Sequence, residues 1–143
     1  RMTDLQAALG LSQMQRLDEF VARRHVIAKR YEQLLADLPV ITPWQHPDGY
    51  SGLHLYVIRL KLAEIGKTHH QVFEALRAAG LGVNLHYIPV YRQPYYEDMG
   101  FKAGLCPEAE QYYAEAISLP MYPSLKEAQQ EQVVSSLREA TSA

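Results

Sequence analysis

Between residue 4 and about residue 38 the apolar positions Leu5, Leu9, Leu17, Phe20, Ile27, Tyr31, Leu34 and Leu38 recur largely at three- and four-residue steps, with Arg and Glu on the other side. This spacing predicts one long amphipathic helix. Thr3 and Gln6 have the capping-box separation at its start, where each side chain satisfies the other's free backbone N–H. A cap this close to the first residue reads as an internal helix start, so the chain is expected to be the C-terminal piece of a longer protein. The first turns, Ala7-Ala8-Leu9-Gly10-Leu11, carry little polar face. Such a helix lies either in its own core or against a second surface, a further domain or a partner subunit. Pro39 and Pro43 end the helical pattern, and residues 44–49 read as a polar connector.

The pattern then shortens. His54-Leu55-Tyr56-Val57-Ile58-Arg59-Leu60 has the β-branched and aromatic content of a strand, with His54 at its entrance as a satisfied structural histidine. Thr68 and Gln71 form a second capping box before Val72, Phe73, Leu76 and Ala79, a short helix stopped by Gly80. Residues 81–87 predict a strand with Val83, Leu85 and Tyr87 on one face and Gly82, Asn84 and His86 on the other. Residues 88–105 predict a long loop. Pro107 opens a third helix with the stripe Ala109, Tyr112, Tyr113, Ala116 and Ile117. Ser118-Leu119-Pro120-Met121 suits a short edge strand. Ser124 and Glu127 have the spacing of a third capping box, before a last helix with Leu125, Ala128 and Val134 inward. The predicted class is α/β of the α+β kind: a long N-terminal helix, then a small sheet with helices packed on one side.

Composition narrows the functional classes. With 143 residues, 48% of them apolar, the chain fits one domain with a substantial core. A net charge of −2 without a basic stripe argues against nucleic acid as a partner. No apolar run approaches the ~20 residues of a membrane span. One cysteine, Cys106, allows neither an internal disulfide nor a zinc site, which suits a reducing compartment such as the cytoplasm; a buried or neutral thiol is the expectation.

The candidate chemistry centres on His86, whose imidazole can donate to or accept from a substrate. Asn84 shares its predicted face, and Tyr91, Arg92, Gln93, Tyr95 and Tyr96 follow at once. Arg92 could grip a carboxylate or phosphate in a fork, and the tyrosines could stack on a ring. Composition alone does not choose between this and a solvated tyrosine-rich loop. His69-His70 point about 100° apart on a helix and are expected to be solvated; no metal site is expected. There is no glycine-rich phosphate loop, no Gly-x-Ser-x-Gly elbow and no compact carboxylate pair.

Three stretches together carry a family resemblance: Arg1-Met2-Thr3-Asp4-Leu5-Gln6-Ala7-Ala8-Leu9-Gly10-Leu11-Ser12-Gln13, Ser51-Gly52-Leu53-His54-Leu55-Tyr56-Val57-Ile58-Arg59, and Gly82-Val83-Asn84-Leu85-His86-Tyr87-Ile88-Pro89-Val90. With the closing pattern from Cys106 to Pro123, the chain resembles the DegT/DnrJ/EryC1/StrS sugar aminotransferases over essentially its whole length. Gly52-Leu53 departs from the Ala-Tyr type of pair expected before the histidine. The resemblance implies the small C-terminal domain, residues 1–143, of an aspartate aminotransferase-type fold. It implies amino transfer from glutamate through pyridoxal 5'-phosphate to the keto carbon of a nucleotide-linked sugar, in a homodimer. Within the family, Asn84 to Val90 followed by Tyr91-Arg92-Gln93-Pro94-Tyr95-Tyr96 is most similar to members on the pseudaminic acid route. Arg1, His86, Tyr91 and Arg92 are the substrate-binding residues the resemblance implies.

The family's cofactor lysine lies upstream of the motif that begins here at Arg1. None of the five lysines, Lys29, Lys61, Lys67, Lys102 and Lys126, sits in a matching context. The chain alone is therefore expected to contain no catalytic residue, to bind no cofactor and to be inactive. The competing reading is a freestanding α+β interaction or ligand-binding module that dimerises through its first helix.

Overall fold

A computed structural model describes residues 2–142. The predicted long helix is two. α1 spans Asp4–Met14 and α2 spans Leu17–Leu34, with the turn at Gln15 and Arg16 between them. The Thr3–Gln6 capping box is present, with the Thr3 N–H donating to Gln6 Oε1 at 2.8 Å. No residue of α1 is buried. The Arg16 side chain at the turn folds over the Phe20 ring, 4.5 Å from its centroid. α2, in contrast, buries Ile27, Ala28 and Tyr31, and the chain leaves it through a turn at residues 35–37 rather than continuing to residue 38.

Three antiparallel strands form one sheet in the order β1-β2-β3. β1 (Val40–Ile41) lies between Pro39 and Pro43, where no strand was predicted; β2 is Tyr56–Leu60 and β3 is Ala116–Leu119. Val40 pairs with Leu60, and Ile58 pairs with Ile117. Tyr56, Ile58 and Leu60 point into the core, as their period of two demands. Their neighbour Arg59 turns to the opposite face, where its guanidinium meets Glu115 at 2.7 Å.

β3 begins two residues before the predicted edge strand. Ala116 and Ile117 therefore belong to it and not to the preceding helix, α6 (Pro107–Glu115). Both are buried by strand pairing, which overrides their place in the helical stripe.

Two short helices follow β2. α3 is Leu62–Ile65, and α4 is His69–Ala78, capped by Thr68 and Gln71 as predicted and ended at Gly80 in the left-handed region (φ 79°). His69 corrects the expectation of a solvated pair: Nε2 lies 2.9 Å from the Ala116 carbonyl oxygen and ties α4 to β3, while His70 is exposed.

Residues 81–87 do not form a ladder strand. A single bridge pairs Asn84 with Ser118. The expected alternation holds at Val83, which is buried, and fails at Tyr87, which is exposed, because no strand lies beyond to bury it. The predicted long loop contains a 3₁₀ turn at Val90–Arg92 and α5 at Pro94–Asp98. Cys106 at the start of α6 is exposed and not buried, and His54, expected to be a satisfied structural histidine, is exposed with no hydrogen bond among the described residues.

The last helix, α7, runs Glu127–Thr141. Its start is two residues later than the Ser124–Glu127 spacing predicts: the Lys126 N–H donates to Gln129 Oε1 at 2.9 Å, and the Leu125 N–H closes a turn on the Tyr122 carbonyl. Leu125 and Val134 face inward as predicted and Gln130, Val133 and Leu137 join them, whereas Ala128 is exposed.

α2, α4 and α7 cover one face of the sheet. Tyr31, Leu35, Ile58, Leu76, Ile117 and Leu137 meet there in one core. Burying side chains of this size contributes about 1.5–3 kcal/mol each before entropy is counted. Polar atoms are led into it by specific bonds: Gln130 Nε2 donates to the Ile27 carbonyl at 3.0 Å, and the Tyr31 hydroxyl donates to the Pro120 carbonyl at 3.1 Å. Arg23 reaches from α2 to the Pro123 and Leu125 carbonyls and fixes the turn before α7.

Candidate functional site

The register of β2 on β3 places Ser118 beside Val57, on the face that does not form the core. Residues 82–86 run along the outer edge of β3. The Ser118 N–H donates to the Asn84 carbonyl at 2.9 Å, and the Asn84 N–H returns to the Ser118 carbonyl at 3.3 Å. Two residues on, His86 comes to rest with Nδ1 2.7 Å from Ser118 Oγ. Its ring stands edge-on to Tyr87, with centroids 4.6 Å apart. Nε2 makes no hydrogen bond among the described residues.

His86, Asn84 and Ser118 line a cleft of about 470 Å³ whose other walls include Gly82, Tyr122 and Gln132. Two features make the wall locally open. Gly82 contributes no side chain, and the chain at Leu119-Pro120-Met121 turns away from the sheet toward α7. Apolar walls from Leu81, Leu119, Met121 and Val133 surround a few polar groups, the amides of Asn84 and Gln132 and the hydroxyl of Ser118, which suit hydroxyl and carbonyl oxygens of a ligand.

Tyr91 and Arg92 do not line this cleft. The Tyr91 hydroxyl donates to Glu110 Oε1 at 2.5 Å and accepts from the Cys106 N–H at 3.2 Å. The Gly104 N–H donates to the same carboxylate at 2.8 Å, and Arg92 Nη1 lies 3.8 Å from it. Arg92 Nε donates to Glu97 at 2.9 Å. The Tyr91 hydrogen bond, with the Gly104 amide behind it, holds the Glu110 carboxyl below its ordinary range. Desolvation and then Glu110 push the Tyr91 phenol up. The structure therefore unites Asn84 with His86, as the shared face predicted, and binds Tyr91 and Arg92 into a separate knot. Arg1 lies outside the described residues.

Ser118 and Glu110 were not singled out by the sequence. Ser118 sits in a short apolar strand, and only the β2 register shows that it points away from the core. Glu110 shows no helical-neighbour signal, because its partners are six to nineteen residues distant.

A lysine-anchored pyridoxal phosphate requires an amine within reach of the cofactor. Among the described residues, no lysine or arginine side chain lines the cleft. Lys67 Nζ donates to the Ala140 and Ser142 carbonyls, and Lys61 lies 3.6 Å from Glu64. The donor set in the cleft does not fit a covalently held cofactor, so no catalytic step is assigned to these residues. No cluster of three or more His, Cys, Asp or Glu that could hold a metal is found among the described residues, and none of their helices is long and apolar enough to cross a membrane.

Comparison with known proteins bears on the same arrangement. The spore coat polysaccharide biosynthesis protein SpsC of Bacillus subtilis (strain 168) is 40% identical over 141 residues, which are 96% of this chain and 36% of that protein. PseC of Helicobacter pylori, an aminotransferase involved in the biosynthesis of pseudoaminic acid, superposes with a TM-score of 0.87 at 28% identity, over 99% of this chain and 38% of PseC. Spr1654 of Streptococcus pneumoniae in its PLP form gives a TM-score of 0.88 at 27% identity, over 99% of this chain and 36% of that one. The chain thus spans little more than a third of these relatives. Residues 1–138 match the DegT/DnrJ/EryC1/StrS aminotransferase family, and the chain belongs to it.

Proposed function

We propose that residues 1–143 form the small C-terminal domain of a pyridoxal phosphate-dependent nucleotide-sugar aminotransferase, the half that meets the sugar. The cofactor lysine then comes from a region this chain does not contain. The observation that carries the reading is the cleft itself: an imidazole with one free nitrogen beside an amide and a hydroxyl, with no amine among the described residues that line it. Such a surface can bind and orient a polyhydroxylated ligand. It has no group to anchor the cofactor.

In this proposal glutamate supplies the amino group and a UDP-linked 4-keto-6-deoxy sugar receives it at the keto carbon. The likeness to PseC supports a substrate of the pseudaminic acid type, with UDP-4-amino-4,6-dideoxy-N-acetyl-β-L-altrosamine as product. His86 contacts the sugar nucleotide. Arg1, Tyr91 and Arg92 are proposed as further substrate contacts in the complete enzyme, Tyr91 and Arg92 from their knot outside the cleft. The cofactor, when bound by the complete enzyme, supplies the electron sink for amino transfer.

The complete enzyme is proposed to work as a cytoplasmic homodimer. The exposed apolar positions of α1, Leu5 (85% exposed), Leu9 and Leu11 among them, support burial of that helix against the missing region or the second subunit. They equally suit the alternative of a freestanding module that dimerises through α1. The two readings part on one experiment. The chain alone, incubated with pyridoxal phosphate and glutamate, is expected to show no absorbance band of a lysine-bound cofactor and to release no 2-oxoglutarate. Supplied with the upstream region, it is expected to aminate the keto-sugar nucleotide. A lysine-bound band from the chain by itself would overturn the proposal, and so would a failure to aminate in the company of that region.

A further inference from the structure

Resting on the reading of His86 as a sugar-nucleotide contact, we propose that Ser118 is a positioning residue that holds His86 in the tautomer with its proton on Nε2. The ring then offers a donor, not an acceptor, to an oxygen of the ligand.

The geometry is set by the main chain. Ser118 and Asn84 exchange both backbone hydrogen bonds, which fixes residues 84–86 against β3 before any side chain is considered. Across this clasp the His86 Nδ1 to Ser118 Oγ distance is 2.7 Å. Ser118 is 4% exposed, and its hydroxyl has no other hydrogen-bond partner among the described residues.

Two proton placements are compatible with that distance. If Nδ1 carried the proton and donated to Oγ, the serine proton would be buried with nothing to accept it, which is unfavourable. If Ser118 donates to Nδ1, its proton and the Nδ1 lone pair are both satisfied, and the remaining proton sits on Nε2. The second placement leaves no orphan at the Ser118–His86 contact. Nε2–H lacks a protein partner and belongs to the group lining the cleft, so it selects for carbonyl, hydroxyl or phosphate oxygens and against a ligand N–H in that place.

The test is a proton-nitrogen correlation spectrum of the imidazoles of the 143-residue chain, without ligand, at a pH where histidine is neutral. His86 is expected to show a protonated Nε2 and an unprotonated Nδ1. In S118A both His86 nitrogens are expected to move toward the exchange-averaged positions of exposed His54 and His70. S118T, which keeps the hydroxyl, is expected to restore the wild-type pattern. A protonated Nδ1 in the wild type would overturn the proposal, as would His86 nitrogens that stay put in an S118A chain of native circular dichroism. Should S118A not fold, the wild-type spectrum still decides the tautomer. Because no substrate is present, failure here removes the role of Ser118 and leaves the sugar-binding proposal to its own kinetic test.

Discussion

Tyr91 and Glu110 are nineteen residues apart, yet the phenol hydroxyl donates directly to the carboxylate at 2.5 Å. Through this bond the segment after His86 is fastened to α6. The Cys106 amide donates to the Tyr91 oxygen and the Gly104 amide to Glu110, so two backbone donors of the intervening turn depend on the pair.

Breaking the pair is expected to loosen the turn and spare the core. Y91F and E110A should lose amide hydrogen-exchange protection at Gly104 and Cys106 while the global unfolding midpoint stays at the wild-type value. Unchanged protection at both amides would show that the knot holds without its centre.

The same pair has a pH signature. The folded-state pKa of Glu110 is depressed, chiefly by the Tyr91 hydrogen bond. Its contribution to local order is therefore complete above the ordinary carboxylate range and is lost as pH falls through the lower folded value. Tyr91 is shifted up, so its share is complete below the ordinary tyrosine range and is lost as pH rises from there through the raised folded value. Ring resonances of Tyr91 are expected to report the acid loss in the wild type and not in E110Q. An acid transition of equal size in both would contradict the assignment.

Tyr31 and Tyr56 pack against each other in the core with ring centroids 5.0 Å apart, but their hydroxyls differ. Tyr31 donates to the Pro120 carbonyl, whereas the buried Tyr56 hydroxyl has no partner among the described residues. Y31F is expected to cost about 0.5–1.5 kcal/mol, the net value of a hydrogen bond, while Y56F is neutral or stabilising. Urea denaturation of the two variants checks this; a Y56F chain as destabilised as Y31F would contradict it.

Leu137 on α7 is fully buried in the core shared by α2, α4 and the sheet. L137A is expected to lose about 2–5 kcal/mol, since the rigid sheet beneath limits collapse into the cavity. A128G, at an exposed position in the first turn of the same helix, should lose no more than about 1 kcal/mol, the propensity difference alone. Denaturation midpoints rank the two, and an equal loss would contradict the inward register of α7.

Much of this architecture was readable along the chain, and the residues that escaped share a reason. The two capping boxes at Thr3 and Thr68, the stop at Gly80 and the core face of β2 follow from spacing and local hydrogen bonding. The turn at Gln15 and Arg16 contains neither glycine nor proline, so no local signal marks it. Ala116 and Ile117 fit a helical stripe and become strand because β2 offers them a partner. At the site, Asn84 and His86 were legible as neighbours two residues apart, while Ser118 and Glu110 reach their partners only through tertiary placement. The positions of Tyr91 and Arg92 away from the cleft could not be read from their closeness to His86 in sequence, since the 3₁₀ turn at Val90–Arg92 redirects the chain.

The central claim is that the His86 cleft meets the sugar and takes no part in anchoring the cofactor. The direct measurement compares H86A with wild type in the complete enzyme, scoring the two half-reactions separately. Amino transfer from glutamate to the cofactor is expected to be unchanged, and kcat/KM for the keto-sugar nucleotide is expected to fall at least about tenfold, the value of one lost hydrogen bond of ~1.4 kcal/mol. Wild-type kinetics toward the sugar, or an equal loss in the glutamate half-reaction, would contradict it.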